Sequence, residues 1–217
     1  MSDAAPAPRG RRATAVLAVL VLAGAAVLVF LAMSRSDRPG TDGPEAGFAR
    51  DMSTHHAQAV QMSFVVRDRT ADKATRLLAY DIINTQSAQI GMMTAWLDEW
   101  GLPKADPGGR MRWMNGHGGH TAAASPAATG SDGAVMPGMA TRTQLRELEK
   151  ASGKAAEVQY LRLMIAHHRS GVTMAEAVLA RTEREQVRRL AQSMVDGQKS
   201  EIGLMNRMLG ERGASAA

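Results

Sequence analysis

The stretch Met52-Ser-Thr-His55-His56-Ala-Gln-Ala-Val-Gln-Met62 recurs later in the chain as Met164-Ile-Ala-His167-His168-Arg-Ser-Gly-Val-Thr-Met174. Both copies read Met-x-x-His-His-x5-Met and lie 112 positions apart. The same offset pairs Phe48 with Tyr160, Thr70 with Thr182, Gln86 with Gln198, Ile90 with Ile202, Met93 with Met205 and Leu97 with Leu209. A duplicated unit of about 50 residues therefore decides the fold.

The amino-acid composition limits the kinds of site that the chain can form. The chain of 217 residues has 15 methionines, six histidines and no cysteine. Without cysteine there can be no disulfide, zinc finger, iron–sulfur cluster, thiol catalysis or lipoprotein-type anchor. Any soft-metal chemistry must use imidazole and thioether. The net charge of +5 comes with no Arg/Lys stripe interleaved with aromatics, so no nucleic-acid partner is predicted.

The N-terminal region has the pattern of a signal anchor. An apolar run at 13–33 is long enough to cross a bilayer and follows Arg9, Arg11 and Arg12. We therefore predict a cytoplasmic tail at 1–12, a transmembrane helix at 13–33 and a tether at 34–43. This places the protein in a bacterial cell membrane, single-pass, with an extracytoplasmic domain. The alternative is secretion after cleavage of a signal peptide.

The remaining chain predicts an all-α fold, with one helical hairpin at 44–101 and a short helix followed by a second hairpin at 141–210. Apolar residues recur at three-to-four spacing in both, and no stretch alternates with period two for long. Thr141 with Gln144 and Thr182 with Glu185 have the pattern of capping boxes. Two repeated hairpins pack most simply as a four-helix bundle with approximate two-fold symmetry. The Gly-, Ala-, Ser- and Pro-rich segment at 102–140 is predicted to be a flexible linker.

The repeated histidines fall on the face that meets the other helices. At about 100° per residue, Met52, His55, His56, Ala59 and Met62 lie within an arc of about 120°, and the second copy is equivalent. Burying imidazole without a partner costs about 1–3 kcal/mol. Either the rings bond polar residues across the bundle, for which Gln86, Gln198, Glu201 and Asp51 are candidates, or they bind a soft or borderline metal, of which copper fits best.

The sequence contains further candidate donors for a soft metal. The second helix of each hairpin carries Met93 or Met205 on the stripe that includes Gln89 or Glu201. The 102–140 segment spaces its donors closely enough to wrap a cation. Its alternative interpretation is a solvated low-complexity linker. The additional candidate ligands are Met93, Glu201, Met205, Met111, Met114, His117, His120, Met136 and Met139.

These motifs resemble the bacterial domain-of-unknown-function family numbered 305. The resemblance rests on the second His-His motif followed by Met174-Ala, on Gln198-x-x-Glu201-Ile-x-x-Met205, and on Met136-Pro-Gly-Met139. It implies a ferritin-like helical bundle, and similar periplasmic proteins bind copper through Met and His. Carried over to this chain, it implicates Met52, His55, His56, Met62, Met164, His167, His168 and Met174 as metal ligands.

The sequence supports three candidate functions. Neither of the first two is enzymatic. The leading hypothesis is a membrane-anchored extracytoplasmic protein that sequesters or hands on copper, Cu(I) or Cu(II). The second is a helical interaction module whose His pairs are purely structural. The third, a ferritin-like di-iron oxidase, is disfavoured because Glu-x-x-His occurs nowhere in the chain. The metal ion and the membrane are the predicted partners, and a homo-oligomer is left open.

Overall fold

The computed structural model describes residues 9–36, 38–106, 108–115 and 132–215. These residues form α-helices, one short 3-10 helix and connecting segments, with no strand among them. They divide into two compact units, Met1–Pro39 and Gly40–Ala217. The all-helical prediction is confirmed.

The first unit contains helix α1, Arg9–Ser36, which includes the whole apolar run. The large aliphatic side chains between positions 16 and 29 are exposed. Across the described ranges, however, no helix meets the combined demands of length and apolar character for crossing a bilayer. The helix is therefore confirmed, whereas the transmembrane span predicted at 13–33, and the membrane as a partner, are not supported.

Helices α2, Pro44–Arg69, and α3, Lys73–Trp100, form the first hairpin. Proline fits the first turn of α2 because no amide hydrogen is needed there. The carboxylate of Asp72 caps α3 by accepting from Thr75 N at 2.7 Å. The helix ends at Gly101, whose φ of 69° lies in the left-handed region that favours glycine. The hairpin thus occupies residues 44–100.

The second hairpin consists of α5, Gly153–Leu179, and α6, Glu185–Glu211, and is preceded by the short α4, Arg142–Lys150. The capping box at Thr141 is confirmed, because its hydroxyl accepts from Gln144 N at 3.2 Å while Gln144 Oε1 accepts from Thr141 N at 2.8 Å.

The second predicted capping box, at 182–185, is wrong. The N-cap residue of α6 is Arg184, and its side chain makes no capping bond. The Thr182 hydroxyl instead accepts from Arg184 N at 3.1 Å and donates to Glu45 Oε1 at 2.7 Å. Thr182 thus also makes a contact between the two copies of the repeat, which a local sequence pattern does not reveal.

This contact has a counterpart related by the repeat. The Thr70 hydroxyl donates to Glu157 Oε1, and both residues lie 112 positions from the members of the Thr182–Glu45 pair. Each copy thus places its threonine against the glutamate of the other copy. The reciprocal arrangement gives the second unit approximate two-fold symmetry.

The copies meet through α2 and α5, while α2 packs along α3 and α5 along α6. Their apolar core forms two clusters. Met52 and Met174 belong to the first cluster, and Met62 and Met164 belong to the second. Because the start of one helix shares a cluster with the later part of the other, α2 and α5 cross antiparallel. The two histidine pairs lie between the clusters.

The described ends of the segment between the hairpins are anchored to α2. Asp51 Oδ2 accepts from Met111 N at 2.8 Å and from the indole nitrogen of Trp113 at 3.0 Å. The side-chain amide of Gln58 bonds both the N–H and the carbonyl of Ala140, at 2.7 and 3.0 Å. The indole of Trp113 and the amide of Gln58 hold these two ends against α2, whereas the sequence predicts a flexible linker at 102–140.

A buried pair gives the first testable prediction. Tyr160 Oη and Ser63 Oγ lie 2.8 Å apart and are both fully buried. The repeat equivalents are Phe48 and Ala175, an apolar pair in the other cluster. Tyr160→Phe or Ser63→Ala alone leaves one hydroxyl unpaired and should cost about 1–3 kcal/mol.

The double variant Tyr160→Phe/Ser63→Ala recreates the apolar pair, so its cost should stay below the sum of the single costs. Chemical denaturation of the four proteins measures this cycle. Additive costs would contradict a direct bond between the two hydroxyls.

Candidate metal centre

The four histidines of the repeat form one layer where α2 crosses α5. We call His55, His56, His167 and His168 the histidine layer. The rings of His55 and His167 stack across the crossing, with centroids 3.6 Å apart and planes inclined by 29°. Neighbouring rings of each pair have centroids 6.4 and 6.2 Å apart. All four side chains are buried, so the inward orientation predicted for them is confirmed.

Three of these rings donate a hydrogen bond from Nε2. His56 Nε2 lies 2.8 Å from Gln89 Oε1, and His168 Nε2 lies 2.6 Å from Glu201 Oε2. His167 Nε2 lies 2.9 Å from the backbone carbonyl of His55. Since each partner is an acceptor, Nε2 carries the proton, and a neutral ring then presents its lone pair at Nδ1. Metal-binding histidines are commonly oriented in this way.

Burial keeps imidazoles of the layer uncharged. Removal from water lowers the pKa of His56 to about 3 and holds the pKa values of His55 and His167 well below 6.5. Repulsion between neighbouring imidazolium charges lowers these pKa values further. These three rings are neutral at physiological pH, which is the form that binds a metal.

The layer contains an unusual concentration of unpaired polar atoms. In the described part of the chain, buried side-chain nitrogen and oxygen atoms without a hydrogen-bond partner occur only on His55, His56, His168, Gln86 and Gln198. They are both ring nitrogens of His55, Nδ1 of His56 and His168, and Oε1 of the two glutamines. Buried polar atoms are nearly always paired. All of these atoms belong to residues at repeat positions.

Gln198 is held close to the layer by a glycine. A Cβ built on Gly171 would lie 2.3 Å from Gln198 Oε1, so only glycine lets the amide lie against α5 at this point. Gly171 follows His167 by one helical turn. The first copy has Ala59 at the equivalent position. The second half of the layer is therefore more closely approached by its glutamine amide.

Thioethers flank the layer on both sides. The repeated methionines are all fully buried, namely Met52, Met62, Met93, Met164, Met174 and Met205. Three of them belong to each apolar cluster, with Met52, Met93 and Met174 in the first. The other three are in the second. Each cluster thus receives two methionines from one copy and one from the other, as the two-fold symmetry requires.

The Met136-Pro-Gly-Met139 stretch forms a turn that docks beside the layer. Met139 N donates to Met136 O at 3.2 Å, and both methionines are buried. Gly138 has a φ of 74°, and a Cβ there would lie 2.4 Å from Ser170 Cβ and 2.8 Å from Ala166 O. Ser170 Oγ donates to Pro137 O at 2.6 Å. Glycine is required here both by its backbone angle and by its contact with α5.

The other sequence candidates divide between two locations. Met111 and Met114 pack against the first apolar cluster and are partly buried. His117 and His120 lie outside the described residues. Glu201 contacts the His168 ring, as described above. Within the ranges that the structure describes, no group of three or more histidine, aspartate or glutamate side chains is arranged to hold a metal ion.

Two residues with a place in this site were not among the predicted ligands. Gln86 and Gln198 were considered only as hydrogen-bond partners of the histidines, yet their Oε1 atoms are buried and unpaired. The 112-residue offset that relates them is the sequence signal that indicates both as candidate ligands. Gly171 and Gln58 carried no comparable signal, because their roles depend on contacts between elements.

The lack of a partner for His55 gives the second prediction. His55→Leu removes two unpaired nitrogens from the interior and should stabilise the apoprotein by about 1–3 kcal/mol. His167→Leu is the matched control, because it abolishes the same ring stack and also a hydrogen bond. It should be less stable than His55→Leu by roughly 1 kcal/mol. Urea denaturation without metal measures both, and equal stabilities would show that His55 has a partner in solution.

The fold and the site define a class of helical proteins in which duplicated hairpins enclose a core of histidine and methionine. Residues 45–209 match the family of the domain of unknown function DUF305. The chain belongs to this family, and the predicted resemblance is confirmed.

Solved structures with the same fold include two DUF305 proteins and CopM. A DUF305 protein from Streptomyces coelicolor, described as a candidate secreted protein, is 47% identical with a TM-score of 0.72, over 82% of this chain and 99% of that chain. A DUF305 fragment from Deinococcus radiodurans is 32% identical with a TM-score of 0.64, over 80% and 99% of the two chains. CopM in its Cu(I)-bound form is 21% identical with a TM-score of 0.56, over 77% and 96%.

A curated relative matches over a shorter stretch. Uncharacterized protein L153 of Acanthamoeba polyphaga mimivirus is 39% identical over 54 residues, which are 25% of this chain. The match spans about a third of that relative, 36% of its length. It adds a relative to the comparison but no function.

Proposed function

We propose that this protein, a ferritin-like bundle, binds copper at the histidine layer. It would act outside the cytoplasm in copper sequestration or handling. The observation that carries the proposal is the set of buried, unpaired nitrogen and oxygen atoms confined to the repeated His and Gln positions. Polar atoms without a partner are costly to bury, and a bound cation would pair with the unprotonated nitrogens and the amide oxygens among them.

The donor types favour copper over harder metals. Neutral imidazole binds either oxidation state of copper, and thioether sulfur favours Cu(I). Nδ1 of His56 and of His168 is the lone-pair atom available in each half, and His55 has two unpaired nitrogens. The buried methionines Met52 and Met164, one turn before each pair, would supply sulfur. Bound copper would act as the Lewis acid, and these nitrogen and sulfur donors would coordinate it.

The relatives support this proposal. CopM has the same fold and has been solved with Cu(I), with Cu(II) and with silver. The Streptomyces coelicolor relative, at 47% identity, is described as a candidate secreted protein. Together they favour a metal role outside the cytoplasm, and secretion is the form of export that we propose.

A second candidate function is a helical interaction module with structural histidines. It is favoured by the acceptors already present on three rings, which are Gln89, Glu201 and the His55 carbonyl. This alternative leaves the unpaired atoms of His55, Gln86 and Gln198 without an explanation. It also expects stability to be independent of copper.

A paired copper titration distinguishes the two candidates. We expect the wild type to bind Cu(I), measured by competition with a chromogenic chelator, and to melt at a higher temperature in its presence, because a ligand stabilises the state that binds it. The His56→Leu/His168→Leu variant should lose both effects, whereas Met92→Leu, an exposed methionine on α3, should retain them. Equal affinity and equal melting shifts in all three proteins would contradict the proposal.

A further inference from the structure

The two halves of the histidine layer differ in charge at one symmetry-related position. His56 Nε2 donates to the neutral amide oxygen of Gln89, at 2.8 Å. His168 Nε2 donates to the carboxylate of Glu201, at 2.6 Å. Gln89 and Glu201 are 112 residues apart and bond the same ring atom from the same helix position. The repeat thus provides two nearly matched half-sites, one of which has an anion behind its histidine.

Other acidic groups near the layer are directed elsewhere. Asp51, one turn before His55, uses Oδ2 to accept from Met111 N and the Trp113 indole. Glu176 is exposed and pairs with Lys199 at 2.8 Å. Within the described ranges, Glu201 is the carboxylate that bonds a histidine ring. The remaining donors of the layer are imidazole, amide and thioether.

This difference matters more for a divalent than for a monovalent ion. The cost of moving an ion from water into a poorly polarisable interior grows with the square of its charge, so it is about four times larger for Cu(II) than for Cu(I). A nearby carboxylate offsets part of that cost. A carboxylate that accepts from Nε2 also makes Nδ1 a stronger donor. A neutral amide offsets less of this cost and strengthens Nδ1 as a donor less than a carboxylate does.

We propose that Glu201 is a positioning residue that makes the His168 half-site the one that binds Cu(II), while the His56 half-site, backed by Gln89, binds Cu(I). This inference rests on the proposed copper function and adds a division of oxidation states between the repeats. No electron transfer is involved, because each half-site takes the ion in the state in which it arrives. The His-to-acceptor hydrogen bond is kept in both halves, and only the charge behind it changes.

Four variants of the full chain test this division. Glu201→Gln removes the charge, Gln89→Glu adds one to the other half, and the double variant exchanges the two. Glu176→Gln is the matched control, since it neutralises an exposed carboxylate on α5 away from the layer. Cu(II) is followed by electron paramagnetic resonance with a competing chelator, and Cu(I) is followed anaerobically with a chromogenic chelator. Thermal melts of the apoproteins establish that each variant is folded.

The wild type should bind one equivalent of Cu(II) tightly. Glu201→Gln should weaken Cu(II) binding by about tenfold or more, the range found when a histidine loses its outer hydrogen-bond partner, with Cu(I) affinity changed much less. Gln89→Glu should add a second tight Cu(II) equivalent. The double variant should keep one equivalent with an altered spectrum, and Glu176→Gln should match the wild type.

Two results would overturn the inference, and they are distinct from failure of copper binding itself. Equal losses of Cu(I) and Cu(II) affinity in Glu201→Gln would show that the residue is a general structural support. An undiminished Cu(II) affinity in the same variant would show that the charge is irrelevant. A wild type that binds neither ion would instead overturn the proposed function, and this inference with it.

Discussion

The apoprotein is expected to lose free energy of unfolding as the pH falls from about 7.5 to about 5, by about 2 kcal/mol from His56 alone. The pKa values of His55, His56 and His167 are all lowered by burial in the native state. Unfolding exposes these rings, which then titrate near 6.5. Between that value and the native pKa, which for His56 is about 3, the unfolded state binds more protons. Stability therefore falls as pH falls, by about 2 kcal/mol for His56 at about pH 5, and His55 and His167 act in the same direction.

Urea denaturation at several pH values measures this slope and the proton uptake that accompanies unfolding. The carboxylates interfere little above about pH 5, where they remain ionised in unfolded chains. At lower pH, Asp51 acts in the opposite direction, because burial raises its pKa and protonation then favours the native state. His55→Leu should reduce the uptake by one proton. A stability that stays constant from about pH 7.5 to about pH 5 would contradict a buried, neutral layer.

Arg212→Ala is expected to lower the free energy of unfolding by about 3–5 kcal/mol, since it leaves a buried carboxylate without its partner. Arg212 follows α6, and its side chain is only 9% exposed. Its guanidinium donates to Glu157 Oε2 at 2.7 Å, to Asp72 Oδ1 at 2.8 Å and to Thr75 Oγ1 at 3.0 Å. It thereby joins the end of the second hairpin to the cap of α3 and to the glutamate that receives Thr70.

Arg189→Ala is the matched control for this prediction. Arg189 also pairs with a glutamate, Glu185, at 3.2 Å, but both side chains are exposed, so the change should stay within about 0.5 kcal/mol. Adding Glu157→Gln to Arg212→Ala should restore part of the loss, because the stranded charge is removed. Equal effects of the two arginine substitutions on the denaturation midpoint would show that the Arg212 network does not support the fold.

The sequence predicted those parts of the fold that depend on local pattern. Pro44, the Asp72 region and Gly101 mark the ends of the first hairpin because capping and backbone conformation are local properties. The helical period likewise placed His55 and His168 on buried faces. The duplication predicted the two-fold relation of the hairpins, since identical units bury identical faces.

Features that depend on contacts between distant residues were not predictable in this way. The stacking of His55 on His167 arises only when α2 crosses α5 at the level of both rings. Thr182 has the spacing of a helix cap, but its hydroxyl accepts from Arg184 N and donates to Glu45 in the other copy. Trp113 lies in a stretch without apolar period, and it is buried because Gly47 leaves room for its ring. In each case the partner is more than 50 residues away.

The central claim is that a copper ion lies in the histidine layer, and anomalous diffraction at the copper edge from copper-loaded crystals tests it most directly. The strongest anomalous peak is expected within bonding distance of Nδ1 of His56 or of His168. A layer without such a peak, in crystals whose copper lies at exposed methionines or at the chain termini, would contradict it.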